Sequence, residues 1–101
     1  MKFILCVSLW IRNDDITAFE SVERQAAQLM AKYGGRIERA IRVTSEPDDF
    51  DAPFEVHIVS FPDQNRFDLY RQDPKTQDFS RERDKVIAKT TVIQGYDIDL
   101  G

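Results

Sequence analysis

His57 is the residue whose type best suits chemistry, and it is the only histidine in the sequence. It lies in the run 54–61, where alternation and β-branched residues predict a strand. A neutral imidazole can act as a general base or as a ligand. The alternative is a partly buried polar residue at the surface of a sheet. Glu55 is the one close titratable neighbour on the same face, and we expect it to lie on an edge strand, too solvated to act with His57.

Metal and cofactor chemistry find little support in the sequence. One histidine and one cysteine, Cys6, do not supply the ligands of a tight transition-metal site, although carboxylates can add to a set. Asp48, Asp49 and Asp51 lack the spacing and the distal glutamate of a calcium loop. We therefore predict no metal and no cofactor. The acidic loop 46–53 is expected to be solvated, unless Phe50 folds over a pocket or onto a partner.

Four aromatic residues are candidates for the wall of an apolar pocket: Trp10, Tyr33, Tyr70 and Phe61. Large rings bury apolar area, and tyrosine and tryptophan also offer a hydrogen-bonding tip to an aromatic or quinone-like molecule. The alternative role for these rings is packing, either in the core or between subunits. Both interpretations stay open for each of the four.

The charges indicate a solvated surface and no nucleic-acid partner. The net charge is −4, and basic residues are interleaved with acids. Arg36, Arg39 and Arg42 are expected to form surface pairs with nearby glutamates, and the alternating signs of residues 81–85 predict an exposed helix face. The apolar start of the chain is too short to span a membrane. A cytoplasmic protein is the expectation.

The order of elements predicted from the sequence is β-α-β-β-α-β in one domain, residues 1–101. A strand over residues 3–11 precedes a helix that begins at Asn13-Asp14-Asp15 and ends at Gly34-Gly35. Strands follow over 36–43 and 54–61. A short helix after Pro62 restarts at Asp73-Pro74 and runs through Val86 and Ile87, and a last strand covers 90–98. This order predicts an α+β, ferredoxin-like antiparallel sheet with its helices on one face.

The first strand predicts a homodimer. Phe3, Leu5, Val7, Leu9 and Ile11 alternate with a second set that contains Ile4, Cys6 and Trp10, so both of its faces are apolar. The helices can cover only one face of the sheet. The other face would be a larger apolar patch than monomers usually expose, whichever of the two sets lies on it. We therefore expect the helix-free sheet face to pair with a second copy of the chain.

The chain resembles the dimeric α/β-barrel superfamily and, within it, the short bacterial domain-of-unknown-function family 1330. The resemblance spans nearly the whole chain. It rests on Gly34-Gly35-Arg36, on Phe61-Pro62, on Tyr70 with Asp73-Pro74 and Gln77, and on Arg83-Asp84. At Thr76 the family more often has an aromatic residue. The superfamily includes cofactor-independent monooxygenases, haem-degrading enzymes and small isomerases, so the resemblance implies a pocket between the sheet and the helices.

Two functions are compatible with the sequence. The first is a homodimer that binds a small apolar or aromatic molecule, as a cofactor-independent monooxygenase-like or isomerase-like enzyme with His57 as its base. The second is a non-catalytic dimerisation or ligand-sensing module. A closed apolar cavity with His57 at its wall would favour the enzyme, and a filled core would favour the module.

Overall fold

The computed structural model describes residues 2–44 and 51–101, and within them a four-stranded antiparallel sheet carries three helices. The elements are β1 (Phe3–Ile11), α1 (Ile16–Ala31), β2 (Arg36–Arg42), β3 (Glu55–Phe61), α2 (Gln64–Gln72), α3 (Pro74–Asp84) and β4 (Ile87–Tyr96). The strand order is β2-β3-β1-β4, so β2 and β4 form the edges. The predicted ferredoxin-like α+β fold is confirmed. None of the described helices combines the length and the apolar character needed to cross a membrane.

The register of the sheet decides which face of β1 lies under the helices. Leu5 and Leu9 are buried, and Leu5 is paired with Val59 of β3 and Gln94 of β4. The opposite face therefore carries Cys6 together with its cross-strand neighbours Ile58 and Ile93. Alternation places Ile4, Ser8 and Trp10 beside Cys6 on this helix-free sheet face. The side chains that face the helices are therefore those of the alternating set Phe3, Leu5, Val7, Leu9 and Ile11.

Helix α1 begins and ends where the sequence predicts. The Asp15 carboxylate accepts a hydrogen bond from the Ala18 amide at 3.0 Å, which caps the first turn. At the other end Gly34 has φ 77°, a conformation that suits glycine. A Cβ on Gly35 would lie 2.5 Å from Cε1 of Phe61, so only glycine lets this turn approach the ring. The two glycines therefore bring the end of α1 down onto the end of β3.

The predicted extension of the last helix through Val86 and Ile87 is wrong. Helix α3 ends at Asp84, and Ile87 is the buried first residue of β4. The Arg12 amide donates to the Val86 carbonyl at 2.8 Å, which draws this segment beside β1. Ile87 then packs with Leu9 and Phe19. Burial against this cluster outweighs the continuation of a polar helix.

Asp73 joins the three helices. Its buried carboxylate accepts hydrogen bonds from the Lys75 amide at 2.8 Å, the Tyr33 hydroxyl at 2.5 Å and the Lys32 ammonium at 3.1 Å. It therefore caps α3 and ties that helix to the end of α1. The hydrogen bond from Tyr33, followed by those from Lys75 and Lys32, lowers the pKa of Asp73 from 3.8 to about 2.

The lowered pKa of Asp73 predicts acid sensitivity. The carboxylate is stabilised in the folded state. Its contribution to the free energy of unfolding is therefore complete above about pH 4 and is lost as the pH falls through about 2. We expect an Asp73→Asn variant to lose less free energy of unfolding over this window than the parent protein. Urea unfolding at a series of pH values measures the slope, with Asp78→Asn, an exposed aspartate of the same helix, as control. Equal slopes for all three proteins would contradict the prediction.

Candidate functional site

A cavity of about 280 Å³ lies between the sheet and the helices. Pockets that bind small molecules usually measure roughly 300 to 1,000 Å³, so this one suits a compact ligand. Most of its wall is apolar. The apolar lining residues are Leu5, Val7, Leu9, Ala26, Met30, Ile37, Val59, Phe67, Phe79 and Val92. The exposed lining residues Arg71, Ser80 and Val92 place the opening on the side of α2, α3 and β4.

His57 stands in the wall of this cavity between two carboxylates. It is 4 % exposed, and its partner on β1 is Val7, another lining residue. Its Nε2 lies 2.5 Å from Oε2 of Glu55, and its Nδ1 lies 3.1 Å from Oε2 of Glu23. Glu55 lies two residues before His57 on β3, whereas Glu23 lies on α1. The face assignment that the enzyme hypothesis requires, with His57 under the helices, is the one observed.

Two arrangements of protons would place a hydrogen at both contacts of the ring. Each contact between a ring nitrogen and a carboxylate oxygen needs one hydrogen, which comes either from the ring or from the acid. The group is therefore an imidazolium between two carboxylates, or a neutral imidazole beside one protonated glutamate. Both arrangements have a net charge of −1. They differ only in the position of the proton between Nδ1 and Glu23.

Glu55 is the carboxylate that orients the ring. Its second oxygen, Oε1, accepts from Nε of Arg42 at 2.9 Å, and the Arg42 guanidinium lies 4.4 Å from the ring centroid of Phe54. A carboxylate already paired with arginine is the natural acceptor of Nε2–H, so Nδ1 is left facing Glu23. The prediction that Glu55 is solvated is wrong, because β2 is the edge strand and covers β3; Glu55 is 7 % exposed.

Glu23 is the functional candidate that sequence reasoning missed. It was not singled out from the sequence, yet its side chain is 16 % exposed and lines the cavity. Burial raises the pKa of Glu23; His57 opposes the rise, Glu55 adds to it and Arg83 opposes it. Its spacing was the missed signal, since Glu23 follows Phe19 by four residues and precedes Ala26 by three.

Tyr70 is the predicted pocket residue that does line the cavity. Burial raises the pKa of its hydroxyl, Arg83 opposes this rise, and Glu23 adds to it. Arg83 also lines the cavity and donates to Oγ1 of Thr90 at 2.9 Å. Residues 81–85 were predicted to form an exposed helix face. Arg83 is an exception, because its side chain is half-buried and turns under α3 towards β4.

The other three aromatic candidates lie outside the lining. Trp10 is on the helix-free sheet face, where its Nε1 donates to the Asp51 carbonyl at 3.1 Å. Tyr33 lies at the end of α1 and is directed to Asp73. Phe61 fills the space beside Gly35 and packs against Phe67 and Tyr70. Asp48, Asp49 and Phe50 lie outside the described residues, so the predictions of a solvated loop or a lid stay predictions.

The Glu23–His57–Glu55 group also has the composition of a metal site. One donor atom from each residue can be chosen so that all lie within 4.8 Å of one another. However, a different nitrogen of His57 faces each carboxylate, and the lone pairs of the two nitrogens point to opposite sides of the ring. A metal ion needs all donors directed at one point. In the observed arrangement His57 lies between two carboxylates, with its Nε2 hydrogen-bonded to Glu55 and its Nδ1 3.1 Å from Glu23.

Comparison with known proteins identifies the fold. No family model and no curated protein matches the chain. Among solved structures, RPA0582, a protein of unknown function from Rhodopseudomonas palustris, matches with 12 % identity and a TM-score of 0.79 over 97 % of this chain and 83 % of that one. A DABB family protein with a ferredoxin-like fold from Mesorhizobium loti matches with 17 % identity and a TM-score of 0.69, over 97 % and 98 %.

A third match is SnoaB, a cofactor-independent oxygenase from Streptomyces nogalater, with 15 % identity and a TM-score of 0.66 over 97 % of this chain and 92 % of that one. At these identities the likeness concerns the fold alone. It confirms the ferredoxin-like fold predicted from the sequence, whereas the resemblance to the dimeric α/β-barrel superfamily stays a prediction. The finer resemblance to family 1330 stays a prediction.

Proposed function

We propose that the chain forms a homodimer that binds a small apolar or aromatic molecule in the cavity and removes a proton from it without a cofactor. The observation that carries this proposal is the buried Glu55–His57–Glu23 relay, which ends at the wall of an apolar cavity. Buried titratable groups in a cleft are candidates for acid–base catalysis. The fold of SnoaB supports the proposal by analogy only.

The proton of the substrate is accepted at the His57–Glu23 pair. Moving the shared proton from Glu23 to Nδ1 of His57 leaves a carboxylate at the cavity wall, and this carboxylate takes a proton from an acidic C–H. Glu55, which Arg42 holds in place, stabilises the imidazolium through its contact with Nε2 of His57. The apolar wall keeps water from the resulting carbanion.

Two reactions can follow from this carbanion. In an isomerisation the pair returns the proton to another carbon of the substrate. In an oxygenation dioxygen is the oxidant: a CH₂ group becomes a carbonyl, one oxygen atom stays in the product, and the other leaves with the two hydrogens as water. Both routes begin with the same deprotonation, so a single assay tests their common step.

Deuterium exchange tests that step. We expect the protein to accelerate the exchange of the acidic CH₂ protons of 2-tetralone in D₂O, followed by proton NMR. His57→Gln and Glu23→Gln should each lower the protein-dependent rate by about 10²- to 10⁴-fold, the usual contribution of a general base. Gln25→Ala, an exposed change on the same helix, is the control. An unchanged rate in both variants, with intact folds, would remove the pair from the mechanism.

A non-catalytic ligand-sensing module is the second candidate, and one observation favours it. Both ring nitrogens of His57 already have a carboxylate partner, which is what a purely structural histidine requires. Under this alternative, 2-tetralone or another aromatic ligand raises the melting temperature without faster exchange. The two functions are therefore distinguished by the same pair of measurements.

The dimer is proposed from the helix-free sheet face. Ile93 and Ile41 are exposed there, and Ile4, Cys6, Trp10, Val56 and Ile58 are half-buried. A continuous apolar surface of this kind is typical of an interface between subunits. Pairing two such faces would close the sheets into a barrel and leave each cavity on its own helix side.

A further inference from the structure

Arg83 places a cation in the apolar cavity. Across residues 2–44 and 51–101, no carboxylate lies within 4.0 Å of its guanidinium, and its one side-chain hydrogen bond goes to the neutral Thr90. Arg83 nevertheless acts on the cavity, because it opposes the rise in the pKa of both Glu23 and Tyr70. A guanidinium in an apolar wall without a carboxylate partner is suited to bind an anion from outside the chain.

A second arginine stands at the opening. Arg71 lines the cavity from α2, and its guanidinium lies 5.4 Å from the ring centroid of Phe67, another lining residue. The chain as a whole has a net charge of −4, so this local pair of cations opposes the overall charge. Arginines that line a cleft raise the local concentration of anions there.

Thr76 provides an independent observation. It also lines the cavity, and its Oγ1 is buried without a hydrogen-bond partner in the part of the chain that the structure describes. Buried hydroxyl groups are normally hydrogen-bonded, because an unpaired one loses its interactions with water and gains none. A polar ligand atom in the cavity would satisfy this hydroxyl.

We infer that the ligand of this cavity is an aromatic or alicyclic molecule with an acidic oxygen, a carboxylate or a phenolate. Arg83 binds that oxygen, Thr76 donates a hydrogen bond to the ligand, and Phe67 and Phe79 contact the apolar ring. This inference rests on the proposed function, since it names the substrate class of the same cavity. The inference differs from the proposed function because it assigns the recognition of charge to residues outside the Glu55–His57–Glu23 relay.

A matched pair of ligands tests the inference. Isothermal titration calorimetry compares 2-naphthoate with 2-naphthamide, which has the same shape and no charge. We expect the wild-type protein to bind the naphthoate at least about tenfold more tightly, because a charged hydrogen bond is stronger than a neutral one. Arg83→Gln should abolish this preference and leave the affinity for the amide unchanged. Arg81→Gln, an exposed arginine of the same helix, should keep the preference.

Each outcome decides a separate question. Equal binding of the two ligands to the wild type overturns the acidic-oxygen inference and leaves the small-molecule cavity in place. A preference that survives in Arg83→Gln overturns the assignment of Arg83. Binding of neither ligand overturns the inference and the small-molecule site together. The wild-type comparison is decisive even if Arg83→Gln does not fold, and Thr76→Val, which should weaken binding of the naphthoate, provides a second variant.

Discussion

Replacing Phe19 with alanine is expected to lower the free energy of unfolding by about 3 to 5 kcal/mol. Phe19 is 0 % exposed and packs with Leu9, Val22 and Ile87, so it joins α1 to β1 and β4. Its ring also meets the ring of Phe54 edge to face, with centroids 5.2 Å apart. Alanine would leave a cavity where these elements converge.

Urea unfolding measures this loss. Ile16→Ala on the same helix is the control, because Ile16 is 43 % exposed and its truncation removes little buried area. We expect the control to change the free energy of unfolding by less than about 1 kcal/mol. Similar losses in the two variants would contradict the packing described for α1.

Replacing Ile93 with aspartate is expected to convert the proposed homodimer to a monomer. Ile93 is 71 % exposed in the single chain, so the change should leave the subunit folded. A charge at this position on the helix-free sheet face would be buried without a partner in the proposed dimer, whose interface should cover about 1,600 Å² or more. Light scattering at micromolar concentration gives the mass, and circular dichroism checks the fold.

Gln94→Asp is the matched control for the interface. Gln94 is adjacent in β4, exposed, and directed to the other face, because it pairs with Leu5 rather than with Cys6. We expect this variant to stay dimeric. A monomeric mass for the unmodified protein, or a dimer that survives Ile93→Asp, would contradict the proposed interface.

The fold could be predicted from local patterns because each element has a local cause. The cap at Asp15, the glycines after α1 and the proline after Asp73 determine helix ends through interactions within a few residues. The boundary at Ile87 was missed, since it depends on contacts with Leu9 and Phe19 that are remote in sequence. Such tertiary contacts override weak helical preference.

The candidate site was only partly predictable. His57 could be found from its type and from the alternation of β3. Glu55 was misjudged because strand order, which decides whether a strand is an edge, is not a local property. Glu23 and Arg83 resemble ordinary surface charges in sequence, and only the depth of the cavity distinguishes them. Trp10 was placed in the pocket because either face of β1 was sufficiently apolar to be the inner one.

The strand order has a consequence for synthesis on the ribosome. β1 leaves the exit tunnel before the other elements, yet its two neighbours in the sheet are β3 and β4. Until residues 87–96 have emerged, one side of the most apolar strand has no hydrogen-bonding partner. Pairing over such long sequence separation is slow, so the nascent chain should complete its sheet only after β4 is released. A chaperone that covers apolar strands would therefore be expected to hold β1 until β4 has emerged.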